Sequence, residues 1–208
     1  MIFAIVIVAL TGYLLGNLNG AVCMSWSMAH EDVRQKGSGN AGLTNFIRNY
    51  GAASSVAVIL IDGMKAVLGC LAGGLIMQSF GMYREGMAIG GLAVMLGHDF
   101  PALLGFKGGK GILSGCLIAM TIDWRIGVLA LGVFILIYLL TMYVSLGSLF
   151  GSTAFGVGFV LFQHDNLTVM ICGVVMGALA VFMHRTNIAR LIRGEERKTN
   201  LFSKGEKA

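Results

Sequence analysis

The chain has 208 residues, of which 56% are hydrophobic, 12% are charged and one is a proline, with a formal net charge of +5. A soluble domain carries about twice that proportion of charge, so the composition excludes a water-soluble globule and predicts an all-α polytopic integral membrane protein. At roughly 20 apolar residues per crossing, the length suits about seven transmembrane helices in a single membrane-embedded domain over 1–208.

Apolar runs and the punctuation between them predict spans at about 2–27, 52–79, 86–97, 111–122, 126–142, 147–163 and 166–183. The first holds no charge before Glu31 and carries Gly16, Asn17 and Asn19 beyond Leu15, which reads as a retained helix rather than a cleaved leader. The loop that follows, from Gly37-Ser38-Gly39-Asn40 through Thr44-Asn45 to Arg48, alternates glycine with short hydroxyl and amide side chains. Such a loop can surround an oxyanion, with Arg48 making bidentate contacts, or can simply be a turn and helix cap.

In the second span Asp62 and Lys65 stand at i,i+3. Charges placed there are expected to pair inside the protein. The runs at 86–97 and 111–122 are too short to cross a hydrocarbon core of ~30 Å as straight helices. They are expected either to extend into flanking residues or to be half-spans lining a polar cavity.

Between those two short runs lies Gly105-Phe106-Lys107-Gly108-Gly109-Lys110-Gly111. Glycine amides beside a lysine form an anion cradle, although a basic inter-helix loop on the positive side of a membrane has the same composition. It is not a Walker A loop, which needs Gly at 104 and Ser or Thr after the lysine, where this chain has Leu104 and Gly111. His98 and Asp99 are adjacent, so on a helix they point ~100° apart and form no dyad; His98 is expected to hold the glycine loop. A turn at Tyr143-Val144-Ser145-Leu146-Gly147-Ser148 separates the fifth and sixth spans.

The four cysteines, Cys23, Cys70, Cys116 and Cys172, lie singly in apolar runs and suit core packing rather than a metal or disulfide framework. The sequence implies no metal and no cofactor. Twelve of the fifteen Lys and Arg fall in 30–50, 98–110 and 184–208, all on one side of a seven-span chain, which should be the cytoplasmic side. Residues near Tyr83 should lie outside and residues near Gly205 inside. The mixed charges of Arg193 to Lys207 read as a solvated or headgroup-contacting tail.

Four ordered stretches carry a family resemblance: Gly37 through Arg48; Gly97-His98-Asp99-Phe100-Pro101 through Gly111; Val144-Ser145-Leu146; and His184-Arg185-Thr186-Asn187-Ile188-Ala189-Arg190-Leu191. In these the chain resembles the PlsY family of bacterial glycerol-3-phosphate acyltransferases over nearly its whole length. The resemblance implies seven helices around a site open to the cytoplasm of a bacterial inner membrane. It also implies acyl transfer from acyl phosphate to the first hydroxyl of glycerol 3-phosphate, giving lysophosphatidic acid and inorganic phosphate at the start of phospholipid synthesis. By the same resemblance Ser38, Arg48, Lys110, Ser145, His184 and Asn187 surround the phosphates. Gly37, Gly39, Asn40, Thr44, Asn45, His98, Gly108, Gly109 and Gly111 then bind or position substrate.

The implied partners are the two substrates, the lipid bilayer and the enzyme that makes acyl phosphate, with no nucleic acid. The chain departs from the family pattern at Asn17 and Asn19, at Leu43, at Ile112-Leu113-Ser114 and at Met142. Such departures leave room for a diverged paralogue. Two other classes stay open, an acyl-thioester-dependent transferase and a non-enzymatic organophosphate carrier. The first is weakened because no His has an Asp five positions on: Gln35, Leu103, Val169 and Ala189 stand there. The second would place charges deep in several spans, where only Asp62 and Lys65 occur.

Overall fold

A computed structural model describes residues 1–199. They form ten helices: α1 Ile2–Asn17, α2 Gly20–Ala29, α3 Leu43–Tyr50, α4 Ala52–Gln78, α5 Tyr83–Asp99, α6 Ile112–Ile122, α7 Trp124–Thr141, α8 Val144–Phe162, α9 Leu167–Met183 and α10 Arg185–Ile192. Five stretches are long and apolar enough to cross a membrane: Ile2–Ala29, Ala52–Gln78, Tyr83–Leu104, Trp124–Thr141 and Val144–Phe162. The α9–α10 pair, bent by 50°, supplies a sixth. The seventh apolar segment, α6, has 11 residues and is therefore only ~16 Å long.

The two short runs thus part company. That at 86–97 extends to seventeen helical residues plus a turn of 3-10 helix at Ala102–Leu104, whereas α6 stays short. At that length α6 cannot by itself reach both faces of a core ~30 Å thick.

The first span is also not one helix. It breaks at Leu18, where the backbone turns extended, and Asn19 restarts it by accepting a hydrogen bond from Val22 N–H at 3.0 Å. The carbonyls freed at the break are taken by the Lys65 ammonium, which donates to Leu18 O at 2.5 Å and Gly16 O at 3.3 Å. Lys65 also pairs with Asp62 at 2.8 Å, and Asp62 Oδ1 accepts from Gly20 N–H at 3.1 Å. Asn17 Oδ1 accepts from Leu103 N–H, and Asn19 Nδ2 donates to Ala41 O. The two departures at the start of the chain therefore tie the broken span to the loops of the site.

The long helices pack through glycine. A Cβ at Gly73 would lie 2.1 Å from Gly86 O, and one at Gly90 would lie 2.3 Å from Gly69 O, so α4 and α5 touch backbone to backbone, as small residues permit between membrane helices. On the far side Ile118, Ile126, Phe159, Val169 and Met176 join α6 to α9 in one buried apolar cluster.

At the end away from Lys110, Arg84 pairs with Asp165 and Gln163, Gln163 donates to Asp123, and Asn166 donates to Glu85. Arg84 and Arg125 thus sit opposite the basic loops. Between α7 and α8 there is no loop: Met142 takes a left-handed backbone at φ 60°, and α8 starts at Val144, which puts Ser145 in a first helical turn rather than in a turn between spans.

Candidate active site

Inside one end of the bundle is a cavity of about 390 Å³ lined by Ser38, Arg48, Lys110, Ser145, His184 and Asn187. These six residues come from four separate stretches of the chain. Asn40, Thr44, Asn45, His98 and Gly111 also line it. Gly37 borders an adjoining pocket of about 240 Å³ with Ser38, Arg48, Arg190, Glu195, Glu196 and Arg197. Gly39, Gly108 and Gly109 line neither.

Each element arrives for a local reason. Asn45 is buried and holds the 36–40 loop from within: its Nδ2 donates to Val33 O, Lys36 O and Asn40 O at 3.1 Å, and its Oδ1 accepts from Ser38 N–H. Gly37, at φ +60°, has no room for a side chain beside Asn45 Oδ1. In the second loop Gly108 N–H donates to Asp99 O and Gly109 N–H to His98 O. Those amides are spent inside the loop. A Cβ at Gly109 would lie 2.1 Å from His98 Nε2, so glycine lets the loop lie on the imidazole. His98 Nδ1 accepts from Lys65 at 2.7 Å, which leaves the ring proton on Nε2.

Three helices, α3, α6 and α8, begin on the cavity wall, and none has a side chain capping its first turn. Such ends favour an anion. Lys110 donates to Asn187 Oδ1, and burial lowers its pKa to about 8, with Arg190 and Arg185 adding to the effect and Glu196 opposing it. Burial likewise lowers Arg48, against the pull of Glu196 and with the repulsion of Arg197 and Arg190. Both cations are thus partly stripped of water and face other cations, with Glu196 as a nearby carboxylate, a setting in which a bound anion gains from each of them. His184 Nδ1 donates to Ala180 O at 2.8 Å, leaving Nε2 as its acceptor nitrogen.

Sequence reasoning missed the 193–199 segment. Arg193, Gly194, Glu195, Arg197 and Lys198 are exposed, as a solvated tail would be, but Glu196 and Thr199 are tied to the site. Asn187 Nδ2 and Arg190 Nε each donate to the Glu196 carboxylate at 2.8 Å. Burial works to raise the Glu196 pKa, but the hydrogen bonds from Asn187 and Arg190 and the nearness of the Ser145 hydroxyl outweigh it, and the net shift is downward. Thr199 N–H donates to Met142 O, Tyr138 OH donates to Thr199 O, and Arg48 donates to Thr199 Oγ1. The only advance sign was charge in a tail of mixed sign. The chain end near Gly205 lies outside the described residues.

Beyond its polar end the cavity continues between Met95, Leu113, Leu131, Phe134, Phe155 and Met176. Cations and helix ends above an apolar slot define a polytopic membrane protein built to hold a phosphate that carries a hydrocarbon tail.

Residues 6–194 match the family model described as glycerol-3-phosphate acyltransferase, and the chain belongs to that family. It is 37% identical over 193 residues to the glycerol-3-phosphate acyltransferase of Thermoanaerobacter sp. (strain X514), covering 93% of this chain and 94% of that one. The enzyme of the same name from Clostridioides difficile (strain 630) is 35% identical over 200 residues, covering 95% and 96%. The crystal structure of PlsY (YgiH), an integral membrane glycerol 3-phosphate acyltransferase, in its glycerol 3-phosphate form superposes with a TM-score of 0.82 at 30% identity, covering 96% of this chain and 99% of that one. Its lysophosphatidic acid form gives 0.79 at 29%.

Proposed function

We propose that the chain is one membrane-embedded acyltransferase domain that moves a fatty acyl group from acyl phosphate to the sn-1 hydroxyl of glycerol 3-phosphate. The observation that carries this reading is the convergence of Arg48, Lys110, Ser145, His184 and Asn187 above an apolar slot. An acyl phosphate needs a cationic seat for its head and a dry channel for its tail. A second phosphate, that of the acceptor, is served by the adjoining pocket, where Arg48, Arg190 and Arg197 outnumber the carboxylates of Glu195 and Glu196.

Acyl phosphate is already an activated mixed anhydride, so the protein's task is alignment and charge neutralisation. The acceptor hydroxyl oxygen bonds to the carbonyl carbon, the bond from that carbon to the phosphate oxygen breaks, and the hydroxyl proton passes to a phosphate oxygen. Lys110, Arg48 and the helix ends stabilise the charge gathering on the departing phosphate. A general base is the second reading, favoured by the acceptor nitrogen that His184 keeps while Nδ1 is bonded to Ala180.

The test is donor identity. Purified protein with labelled glycerol 3-phosphate should form lysophosphatidic acid and inorganic phosphate from acyl phosphate, with little product from acyl-CoA or acyl carrier protein. A preference for either thioester sinks the donor assignment. Uptake of glycerol phosphate into vesicles without product from any donor favours a carrier.

The same reading puts the site on the cytoplasmic face of a bacterial inner membrane, beside the source of acyl phosphate, because the cavity opens at the end rich in Lys and Arg. A cysteine at Tyr83 should react with an impermeant maleimide in intact cells and one at Lys107 should not. The reverse pattern would invert the topology.

A further inference from the structure

One glycine on the cavity wall differs from its neighbours. A Cβ added at Gly42, Gly111, Gly177 or Gly151 would meet another atom at 2.6, 2.7, 3.0 or 3.1 Å, but at Gly115 nothing lies within 4 Å. Gly115 is nevertheless buried. The space in front of it is therefore cavity rather than packed side chain. Its N–H donates to Gly111 O at 2.7 Å, which sets it one helical turn, ~5 Å, below the loop that carries Lys110.

Two other helices reach the same depth with small residues. Ser148 lies one turn into α8 below Ser145, and Ala180 lies one turn before His184 in α9; both line the cavity. Deeper in, the wall turns bulky and apolar at Phe155 and Met176. The neck between the phosphate seat and the apolar slot is thus framed by a glycine, a serine and an alanine, with open space in front of Gly115.

We propose that Gly115 is a specificity-determining residue: the acyl chain crosses this neck beside it, and the width left there decides which acyl groups enter. The inference rests on the acyl-phosphate reading. A donor with a very short chain ends above the neck, whereas a fatty chain passes through it. Side chains at position 115 should therefore act on long donors and short donors unequally, which loss of fold or of phosphate binding would not do.

The experiment compares kcat/KM for palmitoyl phosphate and butyryl phosphate in the wild-type protein and in Gly115→Ala and Gly115→Leu, in detergent with saturating glycerol 3-phosphate. The palmitoyl-to-butyryl ratio should fall at least tenfold in Gly115→Leu and about threefold in Gly115→Ala. The alanine variant adds one methyl group to open space and keeps the comparison available if leucine impairs insertion. An unchanged ratio, or an equal fall with both donors, overturns the role of Gly115 and leaves the donor assignment standing. Failure of the wild-type protein to use either acyl phosphate overturns both.

Discussion

Lys110→Ala should lower acyl transfer by at least about a thousandfold while the purified protein keeps its helical content, since a single charge-stabilising donor in a water-poor site contributes ~10²–10³ in kcat and Lys110 also binds the ground-state phosphate. Its neighbours make replacement by water ineffective: the ammonium is held by Asn187 and lies on a loop pinned to His98. The pH profile should carry the same signature. Burial brings the Lys110 pKa down to about 8, so the cation is present below that pH and is lost as pH rises through it. KM for the phosphate substrates should climb above pH 8, and the climb should vanish in Lys110→Arg if that variant retains activity. Near-normal turnover by Lys110→Ala would reduce the glycine and lysine loop to a topological feature.

Lys65→Met should destabilise the protein by about 3–5 kcal/mol, the cost of leaving one member of a buried ion pair unpaired. Here the loss is compound. The variant strands Asp62 and frees the Leu18 and Gly16 carbonyls at the break in the first span. Adding Asp62→Asn should restore part of the stability, because the amide oxygen can still accept from Gly20 N–H without carrying charge. Thermal unfolding in detergent measures both. A Lys65→Met protein as stable as the wild type would mean that water enters the pair and removes its burial penalty.

The spans were legible because hydrophobic runs of membrane length have few other uses, and the glycine loops because glycine, hydroxyl and amide residues recur at the same end of every second span. What stayed hidden was set by single contacts. The break at Leu18 depends on Lys65, forty-seven residues away, supplying the hydrogen bonds that the helix gives up. The length of 83–104 depended on Glu85 and Arg84 finding partners in Asn166, Gln163 and Asp165, which let helix begin among charges. Gly108 and Gly109 were read as anion donors on composition. Their geometry shows a second use of glycine, close approach to the His98 ring. Glu196 was invisible for the opposite reason: a carboxylate amid cations looks like ordinary surface until its partners are seen.

The contacts that complete the site span long stretches of chain, with Lys110 and Asn187 separated by 77 residues and Arg48 and Thr199 by 151. A ribosome inserting this protein makes the first phosphate-facing loop early and the Glu196 to Thr199 strap only after the last span has left the tunnel. Until then Arg48 and Lys110 stand without Asn187, Arg190 and Thr199 around them. Acyl transfer consequently depends on the segment through Thr199, and a nascent chain whose last span has inserted but whose Glu196 to Thr199 strap is still in the tunnel would have its spans in place and its chemistry still unassembled.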